Sequence, residues 1–283
     1  MQSGNGLMYA SGIYLDHMAT NWDALVLNDY EYVMPLPWRR KWLIHYIYPP
    51  AFVQQLGIFS GNTIDNEIID VFIKNIPGKY KFCEIPFNYA NNITLPNKTA
   101  RKNYLLNLAP GYNTLQAAYS RSANRNISKA KSNGIGIAEN IEPEEIIRLH
   151  RKRFADNVGA TKHDYGNFTL LAKALQQQGT CYTFGAADKY NNLIAGSIYF
   201  LYRNRLTFIL NGNSKESLEC GATHLLKDFV IQKFSSSNLI LDFEGSDTPG
   251  FARFYEQFGA KEIEYYSMVK INRLPFFLRL LKH

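Results

Sequence analysis

Apolar and polar positions alternate with a period of two in many short segments, and helix-like spacing separates these segments. In Leu239–Glu244 every second residue is apolar, which predicts a strand. Polar residues and Pro249 follow, and they suit the start of a helix. Gly259 suits its end. The residues between, Phe251, Phe254, Tyr255 and Phe258, are spaced to form one apolar helix face.

The same alternation of strand and helix patterns continues along nearly the whole chain, which indicates an α/β (or α+β) protein. The predicted strands are Ala24–Leu27, Tyr30–Leu36, Trp42–Tyr48, Tyr80–Phe87, Asn103–Leu108, Ile135–Glu139, Cys181–Ala187, Leu193–Tyr202, Leu206–Leu210, Leu239–Glu244 and Lys261–Ile271. The predicted helices are Ile64–Ile73, Tyr112–Ser132, Glu142–Asn157, Phe168–Gln178, Cys220–Phe234 and the segment after Pro249.

The two halves of the chain have similar patterns. In each, an apolar strand turns through arginines into a second apolar strand, and a helix and an acidic strand follow. Arg40 precedes Glu84 by 44 residues, and Arg203 precedes Asp242 by 39. This weak repetition predicts two related α/β domains, 1–111 and 134–271, joined by a helix over 112–133. Two unrelated α/β domains are the alternative.

Composition narrows the class of protein. The 283 residues are 46% hydrophobic and 14% aromatic, enough for packed cores. The three cysteines, Cys83, Cys181 and Cys220, are too far apart to indicate a disulfide framework or a metal site, so we expect a cytoplasmic protein. We expect neither a signal peptide nor a transmembrane segment. The net charge of +7 favours anionic partners such as nucleotides, RNA, phosphorylated substrates or acidic lipids.

Three motifs carry a family resemblance. The segment FYEQFGA (Phe254–Ala260) is similar to the end of a GNAT acyltransferase domain, although Ala260 stands where the family usually has Phe. Together with YPPAFVQQLGIFS (Tyr48–Ser60) and YSRSANRNISKA (Tyr119–Ala130), the chain resembles the FemABX peptidyltransferases and their acetyltransferase-like relatives. The resemblance implies tandem GNAT-like domains, each with a mixed, mostly antiparallel sheet flanked by helices.

The resemblance also implies an N-acyltransferase that acts on a primary amine of a small molecule or peptide. The acyl donor would be acyl-coenzyme A or aminoacyl-tRNA, used as a co-substrate rather than a bound cofactor. A Fem-like peptidyltransferase that uses aminoacyl-tRNA and a cell-wall precursor is one alternative. A basic, non-catalytic binding module with a degenerate GNAT fold is another. The oligomeric state is not predicted.

Three residues are candidates for catalysis. The family often places a tyrosine at the position of Tyr255 to protonate a leaving thiolate, although a core aromatic residue is the alternative. Asp242 and Glu244, at the end of the predicted strand, could take the proton from an incoming ammonium. They could instead pair with Arg203 or Arg253.

The segment that would bind the donor departs from the coenzyme A pattern. In NSKESLECGATHLL (Asn213–Leu226) only Gly221 keeps its place, and Leu218 stands where Gln or Arg belongs. A helix N-terminus there could still bind phosphate through free N–H groups. The candidate donor-binding residues are Asn211, Asn213, Ser214, Lys215 and Gly221.

Other polar residues are candidates for substrate binding. Arg39, Arg40 and Lys41 could hold a phosphorylated acceptor or form a solvated turn, while Tyr48, Gln54 and Gln55 suit a polar substrate. Arg121, Arg125, Lys129 and Lys131 could contact RNA or line a solvated helix face. His224 is expected to pack rather than to bind a metal. The tail 272–283 is expected to pack on the first domain, with an amphipathic membrane anchor as the alternative.

Overall fold

The computed structural model describes residues 3–94, 98–244 and 247–276, with the backbone alone for 155–158 and 263–266. The chain divides into two compact units. Unit 1 consists of Met1–Lys102 and Glu264–His283, and unit 2 of Asn103–Ile263.

The elements up to residue 107 are mostly strands. They are α1 (Gly12–Met18), β1 (Asn21–Leu27), β2 (Tyr32–Lys41), β3 (Ile44–Ile47), β4 (Phe59–Ser60), α2 (Asn66–Lys74), β5 (Tyr80–Phe87) and β6 (Lys98–Asn107). Those that follow are α3 (Tyr112–Ala117), α4 (Arg121–Ser132), β7 (Gly136–Glu139), α5 (Pro143–Val158), α6 (Lys162–Gln177), β8 (Cys181–Ala187), β9 (Leu193–Tyr202), β10 (Arg205–Asn213), α7 (Lys215–Glu219), α8 (Ala222–Phe234), β11 (Ile240–Asp242), α9 (Pro249–Glu256) and β12 (Lys261–Asn272).

The sheet of unit 1 has the strand order β1-β2-β3-β5-β12, and β4 pairs with β2. Strands β3 and β5 are parallel and are joined through α2, while the other pairs are antiparallel. Asp65 caps α2 by accepting a hydrogen bond from the Ile68 N–H. The helix then packs Ile69 and Phe72 into a core with Tyr80 and Phe87.

The sheet of unit 2 has the order β7-β8-β9-β10-β11-β6. Strands β10 and β11 are parallel and are joined through α8, and the other pairs are antiparallel. Its core joins α4, α8 and α9 to the sheet through residues such as Ile127, Val230, Leu241 and Phe258. The predicted class, a mixed and mostly antiparallel sheet flanked by helices, is confirmed.

The structure corrects several predicted helices. The segment Tyr112–Ser132 is two helices, because the Ser120 hydroxyl accepts a hydrogen bond from the Ala123 N–H and starts α4 afresh. Helix α6 begins six residues before the predicted Phe168, at a capping box of Thr161 and Asp164. Helix α1 and the short helix α7 were not predicted.

The beginning of the C-terminal tail packs within unit 1. The Arg273 N–H donates to the Lys81 carbonyl over 2.7 Å, its guanidinium donates to the Ile76 carbonyl over 2.9 Å, and Leu274 is buried. The rest of the predicted tail, from residue 277 on, lies outside the described residues. Within the described ranges, every helix is too short or too polar to cross a lipid bilayer.

Candidate functional site

The two parallel strands of unit 2 separate after a short pairing. Arg205–Thr207 of β10 pairs with Ile240–Asp242, where β11 ends. Strand β10 continues to Asn213 along β9, with a register shift between Phe208 and Leu210. A gap therefore opens beside the second half of β10, on the side where β11 has ended.

A cavity of about 420 Å³ occupies this region. Its walls come from β9, β10, α8 and α9, with one side chain each from α5 and α7. Most of the wall's area is apolar, as in small-molecule sites, although ten of the nineteen lining residues carry a polar side-chain group. The lining residues are Arg153, Ala195, Gly196, Ser197, Tyr199, Phe208, Asn211, Gly212, Asn213, Leu218, Thr223, His224, Leu226, Lys227, Thr248, Gly250, Phe251, Phe254 and Tyr255.

Lys227 is the most unusual residue of the cavity wall. It is 3% exposed, and its Nζ donates a hydrogen bond to the Tyr199 hydroxyl over 2.6 Å. The amine lies 3.3 Å from the Phe208 ring centre and 5.0 Å from that of Phe243. No carboxylate of the described residues pairs with it. Burial lowers the pKa of Lys227 well below its usual range, which favours the neutral amine, whose lone pair can accept a proton.

Tyr255 also lines the cavity. Its ring packs on Phe243, with ring centres 4.8 Å apart, and on Tyr104 at 5.9 Å. No described residue hydrogen-bonds its hydroxyl. Burial, and then the charges of Glu244 and Asp242, raise the pKa of Tyr255, so the hydroxyl keeps its proton at neutral pH.

The two candidate carboxylates are not among the described residues that line the cavity. Asp242 is buried and forms an ion pair of 2.8 Å with Arg205, rather than with Arg203 or Arg253. It also accepts hydrogen bonds from Asn103 Nδ2 and from the Glu244 N–H. Glu244 is buried too, and burial raises the pKa of its carboxyl well above the usual range.

Polar groups gather at the end of β10. Arg153 Nη1 donates to Asn213 Oδ1 over 2.6 Å, and both residues line the cavity together with Asn211. His150 Nδ1 lies 2.6 Å from the Asn211 carbonyl oxygen, and burial lowers the pKa of this imidazole. A guanidinium and two amides therefore stand in one part of a mostly apolar wall.

Of the five donor-binding candidates, only Asn211 and Asn213 line the cavity. Ser214 caps α7, and Lys215 is exposed beside Glu219. Gly221 has a φ of +83°, and a side chain there would clash with the Asn126 carbonyl of α4. This glycine therefore serves the close packing of α8 against α4.

The substrate-binding candidates lie in unit 1, where β2, β3 and the following loop position them. The Arg39 guanidinium lies 4.3 Å from the Tyr48 ring centre, and Arg39 Nε donates to the Thr20 hydroxyl over 2.9 Å. Gln55 is buried and accepts a hydrogen bond from the Tyr89 N–H over 3.2 Å, so it holds the loop. Gln54 is half-buried, and Arg40 and Lys41 are exposed near the β2–β3 turn.

The remaining candidates are His224 and the basic residues of α4. His224 packs its ring on Phe254, with centres 4.9 Å apart, and its Nε2 lies 3.0 Å from Gln257 Oε1. The basic residues of α4 occupy exposed positions; they are Arg121, Arg125, Lys129 and Lys131.

Lys227 was missed by the reasoning from sequence. In the sequence, Lys227 is a single lysine within the helical run Ala222–Phe234, and its position looks like an ordinary polar position of an amphipathic helix. Its importance follows from burial of nearly every face of α8, which also encloses Asp228. That enclosure depends on the sheet and on α4, and so it cannot be read from the helix alone.

Comparison with solved structures supports the fold. FemX matches with a TM-score of 0.69 at 12% identity, covering 100% of this chain and 96% of that one. L-PGS from Bacillus licheniformis matches with a TM-score of 0.54 at 9% identity, over 99% of this chain and 91% of that one. The C-terminal domain of a putative lysylphosphatidylglycerol synthetase from Agrobacterium fabrum matches with a TM-score of 0.52 at 12% identity, covering 92% of this chain and 86% of that one.

No protein-family model matches the sequence, and no curated protein matches it. The likeness is therefore one of fold. The chain has the FemABX-like, GNAT-type fold that its motifs resemble.

Proposed function

We propose that this protein is an N-acyltransferase whose reaction takes place in the cavity of unit 2. The observation that carries the proposal is that Lys227 and Tyr255 line the same cavity beside diverging parallel strands, where burial lowers the pKa of the lysine well below its usual range and the tyrosine keeps its proton. Acyl transfer to an amine needs a proton acceptor and a proton donor, and these two side chains supply both.

In the proposed reaction, the acceptor arrives as an ammonium and gives one proton to Lys227 Nζ. The free amine then attacks the acyl carbonyl carbon, so that a C–N bond forms and the bond from the acyl carbon to the donor's oxygen or sulfur breaks. The leaving group takes the Tyr255 proton. The attacking nitrogen still carries one proton more than an amide, and it gives that proton to the Tyr255 phenolate, while water removes the other proton from Lys227. The polar cluster of Arg153, Asn211 and Asn213 would hold the donor or acceptor in place.

For the donor, we favour an aminoacyl ester of tRNA over acyl-coenzyme A. Gly221, the remaining residue of the coenzyme A pattern, is packed against the Asn126 carbonyl, so helix packing accounts for this glycine without a phosphate. The net charge of +7 suits a polyanionic donor. The likeness to FemX and to a lysylphosphatidylglycerol synthetase, whose name implies an aminoacyl product, agrees with this choice. The acceptor is a primary amine of a small molecule or peptide.

The test is transfer of a labelled acyl group to primary amines, first from charged bulk tRNA and then from acetyl-coenzyme A. Tyr255→Phe keeps the aromatic packing and loses the proton, so turnover should fall by roughly 10²–10⁴-fold. The matched control is Tyr104→Phe, because Tyr104 packs on Tyr255 but does not line the cavity. That variant should keep its activity.

Unchanged turnover in Tyr255→Phe would return Tyr255 to a packing role. Transfer from acetyl-coenzyme A alone would overturn the choice of donor. If no donor supports transfer, thermal shifts decide whether the protein is a non-catalytic binding module. A ligand at ~100 times its dissociation constant adds ~2.7 kcal/mol to the free energy of unfolding. Stabilisation by tRNA without transfer would identify such a module.

A further inference from the structure

The β2–β3 hairpin of unit 1 ends in two large apolar side chains. The strands pair up to Lys41 and Ile44, so Trp42 and Leu43 form a two-residue turn. They are 76% and 77% exposed, whereas most leucines of the described residues are buried. The hairpin tip, defined here as residues 40–43, therefore presents an indole and an isobutyl group to solvent.

The backbone of this turn is unfavourable for these residue types. Trp42 has a φ of 47° and Leu43 a φ of 68°, which together are typical of a type I′ turn. Asn-Gly is the preferred pair in such turns, and bulky residues are uncommon at positive φ. Folding alone would therefore favour a different pair, and the exposed apolar pair calls for a reason outside the fold.

Positive charge adjoins the apolar pair. Arg40 and Lys41 are exposed, and neither pairs with a carboxylate of the described residues. The Lys41 amine lies 4.9 Å from the Trp42 ring centre, so a cation and an indole stand side by side. His45 lies across the hairpin from Arg40.

We propose that the hairpin tip binds the surface of membranes that contain acidic lipids, with Trp42 and Leu43 inserted at the level of the headgroups and Arg40 and Lys41 on the lipid phosphates. Tryptophan favours the membrane interface, and basic residues are attracted to acidic lipid surfaces. This inference is independent of the proposed acyl transfer.

A protein or RNA partner fits the tip less well. A specific protein interface buries about 800 Å² on each partner, more than two projecting side chains supply. Single-stranded RNA is held by aromatic residues that stack on bases, and Leu43 cannot stack. An aromatic and an aliphatic side chain beside unpaired cations suit a lipid interface.

The experiment measures co-sedimentation of the full chain with phosphatidylcholine vesicles, with and without phosphatidylglycerol. The main variant combines Trp42→Asn with Leu43→Gly, which removes the apolar pair and supplies the residues that the turn prefers. It should keep or raise the melting temperature and weaken binding to phosphatidylglycerol vesicles roughly tenfold or more. Arg40→Gln and Lys41→Gln should each weaken binding roughly fivefold.

The matched control is Tyr190→Ser, because Tyr190 is 72% exposed near the β8–β9 turn of unit 2 and lies beside Lys189. This variant should bind vesicles as the unmodified protein does. The proposal is wrong if the unmodified protein binds no vesicle, if phosphatidylglycerol makes no difference, or if the Trp42 and Leu43 variant binds equally well. If the Trp42 and Leu43 variant lost tRNA binding but still bound vesicles, the tip would be an RNA contact instead.

Discussion

Buried charged side chains in unit 2 are accommodated in two different ways. Arg205 and Asp242 form an ion pair of 2.8 Å, with further hydrogen bonds to Asp242 from Asn103 and from the Glu244 N–H. Lys227 has no such partner among the described residues, and burial lowers its pKa well below its usual range instead. The first arrangement maintains a strand pair, since Arg205 and Asp242 lie on the paired β10 and β11. The second gives the cavity wall a reactive amine.

Loss of the Asp242 charge should show the difference between a buried and an exposed ion pair. Asp242→Asn leaves the buried Arg205 without its counter-charge, so the free energy of unfolding should fall by about 3–5 kcal/mol. The control is Asp70→Asn, which breaks an exposed i,i+4 pair with Lys74 and should cost about 0.5 kcal/mol or less. Denaturant unfolding measures both. Equal small losses would mean that the Arg205 pair contributes no more than a surface pair.

At the scale of single residues, the sequence could predict Tyr255 because a linear motif, FYEQFGA, carries it. Lys227 could not be predicted, because its environment is built from Tyr199, Phe208 and Phe243 on three different strands or strand ends. The ion-pair partner of Asp242 also could not be predicted from the sequence. Arg203 and Arg205 are equally near in sequence, and the strand register alone selects Arg205.

At the scale of elements, a row of glycines lets helix α5 lie close to the sheet of unit 2. Gly185, Gly196 and Gly212 are neighbours across β8, β9 and β10. A side chain at Gly196 would meet Ile146 side-chain atoms, 2.7 Å away at the nearest. A side chain at Gly212 would meet the Ile146 carbonyl oxygen at 2.5 Å and the His150 nitrogen at 2.8 Å. Gly196 and Gly212 therefore determine how near α5, with Arg153, comes to the sheet, whereas Gly185 faces Ile141 and Leu193.

The two glycines should respond differently to substitution. Gly212→Ala forces the backbone of α5 away, and such overpacking should cost about 1–3 kcal/mol. Gly196→Ala meets side-chain atoms of the buried Ile146 rather than the backbone of α5, so its cost should be smaller. Thermal unfolding of the two variants gives the comparison. A greater loss in Gly196→Ala would mean that α5 moves more easily than the side chain of Ile146.

Strands with long apolar and mostly buried runs were predicted best. Strands Tyr80–Phe87, Cys181–Ala187 and Leu193–Tyr202 have the predicted bounds. Strand β6 begins at Lys98 and not at the predicted Asn103. The start was missed because the first residues of the strand are mostly polar and exposed, so no alternation marks it. The break between α3 and α4 was missed because one capping serine, Ser120, is compatible with either a continuous or an interrupted helix.

At the scale of the whole molecule, the two units share a strand pattern. In unit 1, β1, β2 and β3 are antiparallel, α2 leads to the parallel β5, and β12 closes the run. In unit 2, β8, β9, β10, α8, β11 and β6 repeat this order and sense. Duplication predicts this likeness, and superposition of the two sheets is the test of the predicted tandem. The strand–turn–strand–helix spacing in the sequence suggested this likeness. The last strand of each run, β12 in unit 1 and β6 in unit 2, comes from a distant part of the chain.

The buried Lys227 should also make the stability of the whole protein depend on alkaline pH. The unfolded chain holds this proton up to a pKa of about 10.4, whereas the folded chain releases it at lower pH. Between these two pKa values the unfolded state binds one more proton, so the free energy of unfolding rises by about 1.4 kcal/mol per pH unit. Lys227→Met removes this contribution, and its stability relative to the unmodified protein should decline with rising pH across that window.

Denaturant unfolding at several pH values between neutrality and about pH 10 measures this difference, since the other titrating groups are common to both proteins and cancel. The control is Lys215→Met, because the Lys215 side chain is 92% exposed and should give no pH-dependent difference. A pH-independent difference for Lys227→Met would mean that the lysine keeps its proton in the folded state. The proposed proton acceptor would then be absent, and the acceptor amine would have to lose its proton to water before it bound.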